Sequence, residues 1–590
     1  MKLRMRSIVL GLGALSWGTA MGQVTARVSV GLGGANPIGA SADPSISTDG
    51  RFVAFSSAAS NLVPGDTNGI ADIFVRDRAT GTTERVNVGA GGVQADGDCQ
   101  LPQITPDGRF VVFDGANAGT LVPGATGNQV FVVDRQGGTL EIVSVNSSGQ
   151  PANSLAWKGS ITPDGRYVAF ESWATNLVPN DHYGSMDVFV HDRVTGTTEI
   201  LSWTAGGFVD AQWPSISADG RFVAFESDGY LTPIGGPYRD VFVRDVQTDT
   251  TELVSVDSAG GPQNAASYSA TISADGRYVA FVSDATNLVP GDTNGQSDVF
   301  VHDRQTGTTV RVDVASDESQ AAMGADEAQI SALGRYVVFA SASANLVPGD
   351  TNGQTDVFRR DLLLGTTERI SLGSGGEEGN QASTSGAISR GGSYIAFVSA
   401  ATTLIPGDTG VADVFVRDVL GGPSFTSLCE PGAEGVIACP CGNPPSGEGR
   451  GCNNSSGTGG ALLSASGGTY LSSDSLVFHT VGEKPTALSL VSQWNGSNAA
   501  GVALGMGVRC TSGSLKRLFT KTAVGGSITA PDFGVGDPTV SARSAAKGDI
   551  IAPGQSRWYY VYYRDPVVLG GCPASSTFNA TQTGEIAWAP

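Results

Sequence analysis

The stretch STDGRFVAF (47–55) recurs six more times along the chain, as TPDGRFVVF (105–113), TPDGRYVAF (162–170), SADGRFVAF (217–225), SADGRYVAF (273–281), SALGRYVVF (331–339) and SRGGSYIAF (389–397). Its turn glycines, Gly50, Gly108, Gly165, Gly220, Gly276, Gly334 and Gly392, are spaced by 58, 57, 55, 56, 58 and 58 residues. A fixed period of this length marks a repeat architecture with one supersecondary unit per copy. Asp49-Gly50 is hairpin chemistry, since glycine takes positive φ without strain. The following run, Phe52-Val53-Ala54-Phe55, is apolar at every position, so both faces of that strand are expected to be buried.

Working outward, each copy reads as four strands. In the first they are Pro44–Ser47, Arg51–Ser57, Asp72–Asp77 and Thr82–Val88, with a long second loop and a second hairpin at Gly81. We name them A to D. Four-stranded sheets packed face to face around an axis make a β-propeller. The expected fold is therefore all-β: a seven-bladed β-propeller with four-stranded blades, followed by a smaller disulfide-containing β-sandwich-like domain. One strand is left over. VTARVSV (24–30) resembles the D strands TTERVNV (82–88), TTELVSV (250–256) and TTVRVDV (308–314) but has no blade of its own. It is predicted to close the ring as the outer strand of the seventh blade, where the local segment Pro423–Leu428 is a poor match.

The remaining boundaries follow from the ends and the composition. Residues 1–22, with Lys2, Arg4 and Arg6 before a short apolar run and small residues, have the layout of a secretory signal peptide. The domain reading is 1–22 signal peptide, 23–428 propeller, 429–459 Cys/Gly-rich linker and 460–590 C-terminal module. The expected location is secreted, periplasmic or cell-surface. No other segment has the roughly 18 apolar residues of a membrane helix, so membrane insertion is not expected. The formal charge of -21 argues against nucleic acid as a partner and favours cations and basic partners.

The S-x-DGR-[FY]-VAF turn followed by DVFV-x-D resembles the WD40-like repeat of TolB-type propellers, also called PD40. The resemblance covers about 30 to 428 and implies fold more than function, because propellers host many unrelated activities. TolB-like propellers often have six blades; this chain has seven repeats. After Cys429 the repeat stops, and CPCGN (439–443), GDPTVSAR (536–543), YYVYYRDP and a closing AWAP resemble a C-terminal module recurring on large exported bacterial proteins, with no activity to transfer.

The loops between strands B and C carry a message of their own: NLVPGDTNGIAD (61–72), NLVPGDTNGQSD (287–298) and NLVPGDTNGQTD (345–356). Repeats 3 and 7 keep partial copies, and repeats 2 and 4 have lost the acidic core. Asp66, Asn68 and Asp72, Asp292, Asn294 and Asp298, and Asp350, Asn352 and Asp356 gather hard oxygen ligands around a glycine turn, as Ca²⁺ prefers. Three side chains per loop fall short of the ~6–8 oxygens calcium takes. The competing reading is that these residues cap turns and satisfy backbone N–H groups.

Nothing in the sequence forms a catalytic constellation. There is no G-x-S-x-G elbow and no sialidase-type Asp box, and His191 and His302 read as structural repeat variants. Six cysteines, Cys429, Cys439, Cys441, Cys452, Cys510 and Cys572, suggest disulfides in an exported module, with zinc at the C-P-C cluster as the alternative. Cys99 is left over. The strand Arg557–Arg564 places Trp558, Tyr560 and Tyr562 on one face and Tyr559, Val561 and Tyr563 on the other; such aromatic rows can stack on sugars, but a sandwich core uses the same residues, and core is the reading taken. The leading expectation is a binding or scaffold protein, not an enzyme, recognising a protein or glycan through the loop-rich propeller face. The alternatives are a polysaccharide-acting hydrolase or lyase, and a calcium-stiffened structural surface protein.

Overall fold

The computed structural model describes residues 23–117, 119–123, 125–179, 181, 184–202, 209–228, 231–234, 237–419, 426–427, 439, 452–458, 460–466, 476–504, 507–532, 536–552, 555–565, 578–581 and 583–588. Seven four-stranded antiparallel sheets succeed one another along the chain. In blade 1 the strands are Ser41–Ile46, Phe52–Ser57, Asp72–Asp77 and Thr82–Arg85. Val53, Ala54 and Phe55 are fully buried, as their unbroken apolar run requires. Phe55 stacks on Phe74 of its own blade with centroids 5.9 Å apart. The apolar clusters mix residues of neighbouring blades: Phe55 and Phe74 share one with Tyr394 and Val416 of blade 7. The core is thus a ring of interblade layers.

The recurring turn is explained residue by residue. Asp49 Oδ1 accepts from Ser47 Oγ at 2.7 Å and from the Arg51 N–H at 3.0 Å, while Ser47 Oγ accepts the Phe52 N–H at 2.9 Å. Arg51 then forks onto Asp77, the last residue of strand C, at 3.0 and 2.8 Å. The same fork joins Arg109 to Asp134, Arg166 to Asp192, Arg221 to Asp245, Arg277 to Asp303 and Arg335 to Asp361.

Ring closure is as the leftover strand requires. Val24–Arg27 pairs antiparallel with Asp413–Asp418, completing the fourth strand of blade 7. The displaced segment Thr426–Ser427 instead pairs with Gly584–Ala587 in the C-terminal sheet. Strand A differs from its sequence reading, starting at Ser41 and not at Pro44. The cause is a β-bulge: Ala42 pairs with Ser56 and Ser45 with Ala54, so two residues oppose one and the alternation is broken.

The C-terminal module has two sheets. One is built on Leu488–Leu504, Gly507–Thr522 and Ser556–Arg564; the other comprises Leu462–Ser466, Val477–Val481 and Ile528–Ala530. They share a core that includes Leu463, Phe478, Val491, Tyr559, Val561, Tyr563 and Trp588, so of the two faces it is the Tyr559 face that packs into the core. Cys439 and Cys452 form a disulfide with Cα atoms 5.7 Å apart, which removes these two thiols from the zinc alternative. Cys510 is also disulfide-bonded. Cys429, Cys441 and Cys572 lie outside the described residues. Cys99 is a free, buried thiol, and burial pushes it up to about 12.

Candidate functional site

Two features of the loop-rich face stand out. The first is the set of acidic loops. In blade 1, Arg85 at the end of strand D places Nη1 3.1 Å from both Asp66 and Asp72. Arg311 reaches Asp292 and Asp298, each at 3.3 Å, and Arg369 reaches Asp350 at 3.0 Å, Asp356 at 3.3 Å and Glu378 at 2.7 Å. In blade 7 the arginine comes from the N-terminal strand: Arg27 lies 3.7 Å from Asp408 and 3.3 Å from Asp413. Blades 2 and 4, which have lost the acidic loop, carry Ile142 and Leu253 at the arginine position.

The asparagines point the same way. Asn68, Asn294 and Asn352 donate their amide N–H groups to Asp72, Asp298 and Asp356 at 3.0, 2.8 and 2.8 Å. The loop carboxylates thus surround a cation supplied by the chain. Blade 3 is the exception, with Asp181 and Asp187 retained but Ile200 in place of arginine. Burial there pushes Asp187 up to about 6. In blade 5, Asp313 lies buried beside Asp298 and is raised well above the carboxylate range, by burial first and by its neighbour second.

The second feature is the mouth of the central channel, where binding is also expected from sequence; the residues that line it were not among those read there. Every strand A carries the bulge, and its first residue is left-handed in all seven blades: Asp43, Leu101, Lys158, Trp213, Ser269, Glu327 and Ser385, with φ between 51° and 59°. Few side chains tolerate this conformation, and bulges commonly re-aim a side chain. Here they line one cavity of about 490 Å³. The bulge lies two residue pairs in from the loop-rich end of the blade, after the Ser41–Ser57 and Ala42–Ser56 pairs.

The ring is chemically uneven. Lys158 is the only lysine of the propeller. Its Nζ rests 3.3 Å from the centroid of Trp213. Asp43 and Glu327 line the opposite arc, on blades 1 and 6. Behind Lys158, Trp213 and Ser269 stand three buried carboxyls at one position of strand B: Asp114, Glu171 and Glu226. The other four blades have Ser56, Val282, Ala340 and Val398 there. Burial pushes Asp114 and Glu226 up to about 7 and raises Glu171; it pulls Lys158 down.

These shifts set a pH dependence. An acid whose folded value lies above its unfolded value binds its proton more tightly in the native state. Its stabilising effect is complete below about pH 4 and is lost as pH rises to about 7. Arginine-paired Asp134, Asp245 and Asp303, held at about 2, act oppositely and matter only in stronger acid. Thermal melts are expected to give a higher midpoint at pH 5 than at pH 8. Asp114→Asn should remove on the order of 2 kcal/mol of that difference; equal slopes in variant and wild type would refute the assignment.

His191 and His302 are buried against Thr198 and Thr309 at 2.9 Å, consistent with structural roles. No family model and no curated protein matches the chain. Solved structures it is similar to include TolB from Acinetobacter baumannii, at 17% identity and a TM-score of 0.31, covering 50% of this chain and 58% of that one. An oligogalacturonate lyase in complex with manganese aligns at 12% identity and a TM-score of 0.42, over 67% and 96% of the two chains. The β-propeller domain of the Trilobed protease from Pyrococcus furiosus aligns at 12% identity and a TM-score of 0.41, over 64% and 95%. The chain spans little more than half the length of that TolB.

Proposed function

We propose that this is an exported binding protein that takes a glycan at the channel mouth, on the loop-rich side of blades 3 and 4. One observation carries the reading. Among the described residues, the exposed aromatic side chains are Trp173, Trp213 and Tyr238, at 40%, 42% and 44% exposure. Trp173 follows strand B of blade 3, Tyr238 precedes strand C of blade 4, and Trp213 lines the cavity. Trp173 is braced edge-on by Trp157 at 5.1 Å. Exposed rings, with acceptors such as Asp43 and Glu327 across the cavity from Trp213, suit the apolar faces and hydroxyls of sugars. The disulfide at Cys439–Cys452 supports export.

Glycan-array screening followed by calorimetry tests it. Trp173→Ala and Trp213→Ala should each weaken the best array ligand by roughly tenfold, about 1.4 kcal/mol. A blank array, or variants that bind like wild type, would sink the proposal. The hydrolase or lyase reading has less support, because Asp114, Glu171 and Glu226 each commit an oxygen to a backbone N–H.

For the acidic loops we propose an arginine clamp, with calcium as the reading it competes against. Melting midpoints should be the same in calcium and in EDTA. Arg85→Met should cost about 2 kcal/mol by stranding two buried carboxylates. A rise in midpoint with calcium in the wild-type protein would favour the metal.

A further inference from the structure

The ligand-facing ring is held by a second set of groups that no sequence motif announces. Asp114 Oδ2 accepts the Lys158 backbone N–H at 3.0 Å, Glu171 Oε2 accepts that of Trp213 at 2.6 Å, and Glu226 Oε2 accepts that of Ser269 at 3.2 Å. In each case a carboxyl of one blade fixes the left-handed residue that the next blade presents to the cavity. Blades 1 and 6 reach the same end differently, using ring residues: Asp43 accepts from Leu101 at 3.5 Å, and Glu327 accepts from Ser385. Only blades 2 to 4 place a separate buried acid there, and they do so directly behind Lys158 and Trp213.

We propose that Asp114, Glu171 and Glu226 are positioning residues whose shared protonation sets how Lys158 and Trp213 are presented at the cavity, making this site proton-linked. The inference takes the channel mouth as the ligand site, as above. A bond from an N–H to an ionised carboxylate is about twice as strong as one to a neutral acceptor. Protonating the arc therefore loosens the bulges of blades 3 to 5. It also strips Lys158 of its counter-charges. Lys158 faces Asp114, Glu171, Asp43 and Glu226, with Trp213 beneath its ammonium. Glu171 faces Lys158 and Arg239, and Glu226 faces Arg239, Gln212 and Glu171. A cation–π contact of roughly 0.5–2 kcal/mol is weak enough for Lys158 to redistribute when those charges change. The position of Asp114 and Glu226 at about 7 puts the transition near neutrality.

The test needs no ligand. In protein labelled with 5-fluorotryptophan, the Trp213 fluorine resonance, assigned by its loss in Trp213→Phe, is followed from about pH 5 to pH 9. A titration step with a midpoint near 7 is expected. Asp114→Asn and Glu171→Gln keep an oxygen that accepts the N–H but carry no charge, so both should fold and each should reduce or abolish the step. Carboxyls with a purely structural role would alter melting and leave the Trp213 resonance flat. A flat wild-type titration, or one that survives unchanged in both amide variants, overturns the proposal. A blank glycan array would defeat the ligand reading while leaving this titration intact, so the two failures are distinguishable.

Discussion

Removal of residues 23–30 is expected to abolish the cooperative melting of the propeller. Those residues supply the fourth strand of blade 7, with Val24 to Arg27 in register with Asp418 to Phe415. They also bury Val28 and Ser29. Ser29 Oγ donates to Asp413 at 2.7 Å, and the Val414 N–H returns a bond to Ser29 Oγ at 3.0 Å. Arg417 donates to Thr25 Oγ1 at 2.9 Å. Without the strand, Asp408 and Asp413 lose Arg27, and burial already pushes Asp413 up to about 6. The loss sums one buried valine, a four-residue ladder and a buried ion pair, more than about 5 kcal/mol. It falls at the one place where the ring has no covalent continuity. Circular dichroism melts and limited proteolysis should show blades 1 and 7 opening first; a truncated chain melting within a few degrees of wild type would refute the closure argument.

The closure strand was legible because it is a copy: VTARVSV repeats the wording of TTERVNV, and repetition substitutes for an alignment. The blade count and the B strands were legible for the same reason. The acidic loops were legible only as chemistry. Asp66, Asn68 and Asp72 sit within seven positions of one another, but the partner that decides their role, Arg85, lies on the next strand. What could have revealed the clamp is covariation inside the chain: arginine at 85, 311, 369 and 27 where the loop is acidic, and Ile142 or Leu253 where it is not, with Ile200 of blade 3 the one departure.

The residues lining the cavity were missed for the opposite reason. The proposed site is lined at the position where the repeats disagree, reading Asp43, Leu101, Lys158, Trp213, Ser269, Glu327 and Ser385 in turn. The bulge fixes the backbone of this residue in every blade but asks for no particular side chain, so the repeat leaves its identity free. In a chain of near-identical copies, the informative column is the one that varies. Asp114, Glu171 and Glu226 carry the same signal, three acids in a strand whose other copies have small or apolar residues there.

Gly108→Ala is expected to destabilise the propeller by about 4 kcal/mol, the sum of a left-handed penalty of about 1–2 kcal/mol and an overpacking cost of about 1–3 kcal/mol. Gly108 has φ 74°, and a Cβ built on it would lie 2.3 Å from Cδ2 of Phe52 on the preceding blade. Phe52 has little room to yield, since the Arg51 and Arg135 guanidiniums lie 4.7 and 4.5 Å from its ring centroid. The contact recurs around the disc, with Gly165 on Phe110, Gly276 on Phe222 and, across the closure, Gly50 on Tyr394. The two costs separate experimentally. Gly91→Ala has the same left-handed backbone with nothing within 4 Å, so it should lose only the conformational part. Adding Phe52→Leu to Gly108→Ala should restore part of the steric share, giving a coupling energy of about 1 kcal/mol or more in a double-mutant cycle. Equal losses in Gly108→Ala and Gly91→Ala would mean that the turn glycine is kept for its φ alone. A larger loss at Gly108 would mean that the DGR motif is an interblade contact as much as a hairpin, which is why the glycine persists in SALGR and SRGGS where the aspartate does not.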